Sequence, residues 1–169
     1  MPIFVPINTA YMQIRPIQAS DNPALAKLIR ETIIEHDVPK EGTVYSDPTT
    51  DDLFSLFKTP KSIFWVAVEQ TEVLGCCGIY PTPGLPEHCA ELVKFYLSKH
   101  ARGKGTGTAL IHQSIASARD LGYTQLYLES LPQFERAVHM YSRLGFQKLE
   151  GALGNSGHTS CNLWMLKTL

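Results

Sequence analysis

The stretch Arg102-Gly103-Lys104-Gly105-Thr106-Gly107 decides the reading of this chain. Before it runs the apolar segment Cys89 to Ser98, which reads as a long strand. After it, Leu110, Ile111, Ile115, Ala118 and Leu121 recur at the spacing of one helix face, and Gly122 ends that helix. Glycines between a strand and a helix allow positive φ and a close approach of backbone to ligand. The free N–H groups of a helix start, with the helix dipole behind them, form a site for phosphate oxygens. Arg102 and Lys104 add positive charge there, and an arginine can grip a phosphate through two hydrogen bonds. The plainer alternative is a basic turn that only connects its two neighbours. Two common phosphate loops are excluded. Lys104 is followed by Gly105, where a P-loop needs Ser or Thr, and Gly103 and Gly105 are followed by Thr108, where the dinucleotide fingerprint needs its third glycine.

Outward from this turn the chain alternates strands and helices. Tyr11 to Pro16 reads as a first strand with Met12, Ile14 and Pro16 on one side. Ser20-Asp21-Asn22-Pro23 starts a helix that runs to about His36 on Leu25, Leu28, Ile29, Ile33 and Ile34. Residues 37–50 are loop-like, and Thr49 to Phe57 reads as a short second helix. Ile63 to Val68 and Val73 to Tyr80 read as strands joined by a polar turn. Thr124 to Leu128 is a strand, Phe134 to Leu144 a helix stopped by Gly145, Phe146 the start of a further strand, and Asn162 to Lys167 the last one. The strand–helix–strand run over 89–128 implies a right-handed crossover and one parallel strand pair. This is an α/β domain over residues 11–169, preceded by an arm over residues 1–10.

A chain of 169 residues is the size of one domain with a real core. With 15 Lys and Arg against 16 Asp and Glu there is no global basic field, so no nucleic-acid partner is expected. The four cysteines, Cys76, Cys77, Cys89 and Cys161, form no CxxC pair and read as thiols of a reducing cytosol. The apolar start Ile3 to Ile7 lacks a basic flank and is broken by prolines, so it is a poor leader. No run reaches the ~20 apolar residues of a bilayer span. The expectation is a cytoplasmic protein without a membrane partner. The His158–Cys161 pair has no further clustered ligands, so no metal is expected.

Arg102, Gly105 and Gly107 occupy the fixed positions of the Gln/Arg-x-x-Gly-x-Gly/Ala signature that opens a long helix in Gcn5-related (GNAT) acetyltransferases, and the element order over 11–169 is similar to that fold. The resemblance implies a mixed central sheet of six to seven strands, about four flanking helices, and a central strand pair that splays apart. It implies acetyl-CoA as co-substrate, its pyrophosphate cradled by Arg102, Gly103, Lys104, Gly105, Thr106, Gly107 and Thr108. The backbone near Phe95, Tyr96 and Leu97 would pair with the pantetheine arm like an added strand. Spacing alone does not show the splay.

The run Ala137 to Phe146 resembles the family's second signature, in which a helix tyrosine, here Tyr141, protonates the departing thiolate. A tyrosine packed under its helix reads equally from the pattern. Where many relatives carry a pantetheine-contacting asparagine, this chain has Phe134. Glu91 is a carboxylate in an apolar strand; desolvation would raise its pKa and suit it as base toward the amine, directly or through water. A solvent-facing carboxylate bridging Lys94 is the alternative. Glu129 is the rival for base work or for binding the substrate ammonium, and equally reads as a satisfied strand-end carboxylate. His158, in the Gly154-Asn155-Ser156-Gly157-His158 loop, is placed at the acceptor pocket. The tail Gly154 to Lys167 resembles a small-molecule subgroup of the family. The expected function is therefore acetyl transfer from acetyl-CoA to a primary amine of a small molecule. A non-catalytic acyl-CoA sensor is the alternative, and a protein acetyltransferase lacks an appended recognition module. The arm Ile3 to Ile7 can serve a homodimer.

Overall fold

Strands β1 (Gln13–Pro16), β2 (Ile63–Glu69), β3 (Glu72–Tyr80), β4 (Cys89–Leu97), β5 (Gln125–Ser130), β6 (Gln147–Leu149) and β7 (Leu163–Thr168) form one sheet in the order β1-β2-β3-β4-β5-β7-β6. This is a computed structural model, and it describes residues 11–169. The arm of residues 1–10, with its expected dimer-forming run, lies outside the described residues. All neighbouring strands are antiparallel except β4 and β5, which are parallel. Four α-helices flank the sheet among the described residues: α1 (Asn22–Glu35), α2 (Leu53–Leu56), α3 (Thr106–Asp120) and α4 (Glu135–Arg143). The fold is the mixed α/β sheet with flanking helices that the element order and the family resemblance imply.

Two cores sit on opposite faces of the sheet. Leu110, Ile111, Ile115 and Ala118 of α3, with Tyr141 of α4, pack on Cys77, Ile79 and Leu92. On the other face Leu25, Leu28, Ile29 and Ile33 of α1 pack with Leu53, Phe57, Val66 and Cys76. Burial of such side chains stabilises by about 1.5–3 kcal/mol each, which makes these two layers the main support of the sheet.

Three details depart from the sequence reading. Ile34 is 56% exposed and stands off the apolar face of α1. Met12 and Pro16 are exposed because β1 is an edge strand that pairs with β2 alone. The second helix is broken at Asp52, whose backbone leaves the helical region (φ -140, ψ 64) so that its side chain can accept from Ser55 N–H.

The central feature lies between β4 and β5. Their ladder holds for three pairs, Cys89–Gln125, Ala90–Leu126 and Glu91–Tyr127, and then stops. Both strands continue on their outer sides, β4 against β3 out to Leu97 and β5 against β7 out to Ser130. The two central strands therefore splay from Glu91 onward. A β-bulge in β4 accompanies the opening. Between the paired positions Val93–Gly78 and Tyr96–Cys76, β4 holds two residues where β3 holds one. Lys94 takes the left-handed conformation there, with φ 54. The extra residue shifts the side-chain phase: Leu92, Phe95 and Leu97 join the α3/α4 core, whereas Val93 and Tyr96 join the α1 core.

Candidate active site at the splayed strands

The wedge opens into a cavity of about 840 Å³. One end is lined by Phe95, Leu97, Arg102, Gly103, Gly105, Gly107 and Thr108, and the other by Glu91, Lys94, Glu129 and His158, with Tyr141 and Tyr96 also on its wall. Most of the residues singled out in the sequence are thus brought to one surface. Two are not on that wall: Lys104 is exposed on the outside of the turn, and the Thr106 side chain is buried.

The glycine turn has the shape of an oxyanion cradle. Gly103 and Gly105 carry φ +74 and +82, and a Cβ at either would meet no heavy atom within 4 Å, so open space lies over the backbone. The first helical bond of α3 runs from Ala109 N–H to the Gly105 carbonyl at 3.0 Å. The amides of Thr106, Gly107 and Thr108 precede that bond and have no intrahelical acceptor. Gly107 has a different reason. A Cβ there would lie 2.9 Å from Leu97 Cδ1 and 3.0 Å from Phe95 Cζ, so glycine lets α3 seat against β4. The Arg102 side chain turns away toward α1, where it pairs with Glu35 at 2.6 and 2.9 Å and donates to the Leu97 carbonyl at 3.1 Å.

At the other end the two candidate carboxylates differ. Glu91 is 3% exposed and accepts one hydrogen bond, from Thr82 Oγ1 at 3.2 Å. Burial pushes its carboxyl up to about 8; the nearby Glu129 charge adds to the rise, while Thr82 and Lys94 oppose it. Glu129 has both oxygens occupied. Tyr127 Oη donates to Oε2 at 2.8 Å and Ser156 Oγ donates to Oε1. Ser156 Oγ in turn accepts from His158 N–H at 3.1 Å, and the His158 ring meets Asp47 at 3.0 Å. Burial alone would raise the Asp47 carboxyl, but hydrogen bonds from Thr49 and His158 outweigh it and hold it at about 2. Glu129 and Asp47 therefore hold the 154–158 loop beside the cavity through Ser156 and His158.

Tyr141 is 6% exposed, its ring set edge-on against Phe95 and Phe146 at 6.2 and 5.8 Å between centroids. Its hydroxyl takes part in no hydrogen bond among the described residues. Burial raises its pKa further, so it remains a protonated donor facing the cavity. Phe134, the residue before α4, packs on His36 and Tyr96 at 5.0 and 6.3 Å and closes the apolar wall on the α1 side. The thiols of Cys76 and Cys77 are fully buried, and burial pushes Cys77 up to about 12, so neither is a nucleophile. Among the described residues no group of three or more His, Cys, Asp or Glu side chains is placed to hold a metal. No helix among them is long and apolar enough to cross a membrane.

Sequence reasoning passed over Asp47 and Thr82, weighed Cys161 only in the His158–Cys161 pair, and treated Lys94 only as a partner for Glu91. Nothing local marks Asp47 and Thr82, because they come from loops distant in sequence and reach the site only through His158 and Glu91. A lysine inside an apolar strand was the one available signal for Lys94.

Known proteins can be set beside this geometry. An uncharacterized N-acetyltransferase of Escherichia coli, YjgM, is 34% identical over 156 residues, which covers 92% of this chain and 93% of the relative. A GNAT-family acetyltransferase of Staphylococcus aureus Mu50 superposes with a TM-score of 0.83 over 94% of this chain and 99% of its own, at 17% identity. A phosphinothricin acetyltransferase of Sinorhizobium meliloti, solved in complex with AcCoA, superposes with a TM-score of 0.74 over 94% of this chain and 88% of its own, at 19% identity. Residues 30–146 match the acetyltransferase (GNAT) family. With its glycine cradle, splayed strands and near full-length relative, the chain belongs to the GNAT family and is an acyltransferase.

Proposed function

We propose that the protein transfers an acetyl group from acetyl-CoA directly to the primary amine of a small molecule. The observation that carries this reading is the wedge itself. It joins a phosphate-type cradle at Gly103–Thr108 to a buried, sparsely bonded carboxylate at Glu91, with a free tyrosine hydroxyl on its wall. Acetyl-CoA fits it as substrate. The amides of the turn would hold the pyrophosphate, and the β4 edge from Leu92 to Leu97, unpaired toward β5, would take the pantetheine as an added strand. The fold neighbour from Sinorhizobium meliloti was solved with AcCoA, which agrees with this choice.

In the transfer the amine nitrogen forms a bond to the thioester carbon and the carbon–sulfur bond breaks. Glu91, which makes one hydrogen bond where Glu129 makes two, takes the proton lost by the amine. Tyr141 gives a proton to the leaving thiolate and recovers one from solvent. The absence of a reactive thiol on the wedge supports direct transfer over a covalent enzyme intermediate: Cys161 lines the cavity, but burial pushes its pKa up to about 12.

Isothermal titration with acetyl-CoA, ATP and NAD, followed by a free-thiol assay over a panel of amines, tests this. Binding of acetyl-CoA with weak or no binding of the two nucleotides, and thiol release with at least one small amine, is the expected result. A preference for ATP or NAD, or thiol release with peptides and none with small amines, would overturn it.

A further inference from the structure

Lys94 is 9% exposed, yet among the described residues its ammonium makes neither a hydrogen bond nor an ion pair within 4 Å. It lines the cavity at the acceptor end. The residue is buried, but its unpaired Nζ is not sealed off, and it sits on a left-handed residue at the bulge, a conformation that costs a non-glycine residue about 1–2 kcal/mol. Paired strain and unpaired charge of this kind mark ligand clamps more than structural supports.

The nearby carboxylates do not discharge it. Asp47 and Glu91 are close enough for their charges to favour the charged lysine, against burial, which lowers its pKa. Asp47 is already committed to Thr49, at 2.7 and 2.9 Å, and to His158. Glu91, raised to about 8, is largely uncharged near neutral pH. The acceptor end thus presents a lysine donor beside a carboxyl that accepts a proton only in its ionised fraction.

Resting on the acetyl-transfer reading, we propose that Lys94 anchors the carboxylate of the acceptor, which makes the acceptor an amino acid and not a simple amine or polyamine. Glu91 and Lys94 stand three positions apart on β4, and both line the cavity. An amino acid bridges the two groups, its amine toward Glu91 and its carboxylate toward Lys94, with a hydrogen bond of about 2.8 Å at each end. Ile33, Val44 and Phe134 line the same cavity and belong to one apolar cluster, which gives an apolar acceptor side chain a wall to meet, so the acceptor is proposed to be an apolar amino acid.

The test titrates the CoA complex of the protein with leucine, methionine and phenylalanine, each against its carboxamide, and runs the thiol assay on the same pairs with acetyl-CoA. A charged hydrogen bond implies that the carboxylate member binds at least about tenfold tighter. Lys94→Met should collapse that ratio to about one, and Lys94→Arg should keep part of it, with acetyl-CoA titration confirming that both variants fold. Equal affinity within each pair, a ratio unchanged in Lys94→Met, or no binding of any of the three amino acids overturns the proposal. Thiol release that ignores the carboxylate also overturns it but leaves acetyl transfer standing. Carboxylate-selective binding without thiol release from any pair supports Lys94 and instead refutes the transfer reading.

Discussion

The Arg102 guanidinium lies against the Glu35 carboxylate, Nη1 to Oε1 at 2.6 Å and Nη2 to Oε2 at 2.9 Å, across 67 positions of sequence. The arginine of the phosphate turn is thus engaged by the last residue of α1, and that pair holds Glu35 below the usual carboxylate range. A phosphate arriving at the turn would meet the open amides first and would have to compete with Glu35 for Arg102.

Glu35→Gln should therefore release the guanidinium toward the cavity and leave acetyl-CoA affinity equal or up to several-fold higher, with the larger gain at low salt. Arg102→Ala should weaken it by several-fold, since the amides remain. Titration of both variants at two salt concentrations checks this. Weaker binding in Glu35→Gln would mean that the pair positions the turn and does not compete with the ligand.

The glycines of the turn should separate by cause. Gly107→Ala drives a Cβ into Leu97 and Phe95 and should cost about 1–3 kcal/mol through displacement of α3, with a lowered Tm even without ligand. Gly105→Ala meets no atom and carries only its left-handed backbone cost of about 1–2 kcal/mol, so its larger effect should be on coenzyme affinity. Thermal melts and titrations on the two variants distinguish them.

Glu91 should also appear in the pH dependence of stability. Its folded pKa of about 8 lies above the ordinary 4.5, so the folded chain holds a proton that the unfolded chain releases. That contribution is fully present below pH 4.5 and is lost as pH rises through 8. Glu91→Gln has no such proton. Denaturant unfolding at pH 5 and pH 9 should show the variant gaining on the wild type at the higher pH; a constant difference between the two would contradict the buried-carboxyl assignment.

Ser156→Ala removes one of the two donors to Glu129 and the link from Glu129 to His158. The 154–158 loop should loosen, with KM for the amine raised more than kcat is lowered. Steady-state kinetics with any accepted amine reads that split.

The element order was legible because the periodicities are local: the helix face of Leu110 to Leu121 and the apolar run of Cys89 to Leu97 each report on their own segment. Tyr141 and Glu91 were legible as candidates through their neighbours in sequence. What decides between readings was not. Glu129 is satisfied by Ser156, 27 positions away, and Arg102 is engaged by a helix 67 positions away. The bulge that turns Lys94 into the cavity depends on how β4 registers against β3, and no residue type in 93–96 announces it. Strand splay likewise follows from where two ladders stop, which is a property of the sheet and not of either strand.

The most direct test of the account is single-turnover thiol release by Glu91→Gln under saturating acetyl-CoA and acceptor. A general base contributes roughly 10²–10⁴ in rate, so the variant should lose at least about a hundredfold while binding acetyl-CoA as the wild type does. The wild-type rate should rise with pH through about 8, where Glu91 loses its proton, and the residual rate of the variant should not follow that titration. A variant that turns over at the wild-type rate, with the same pH profile, would contradict the assignment of Glu91 as the base.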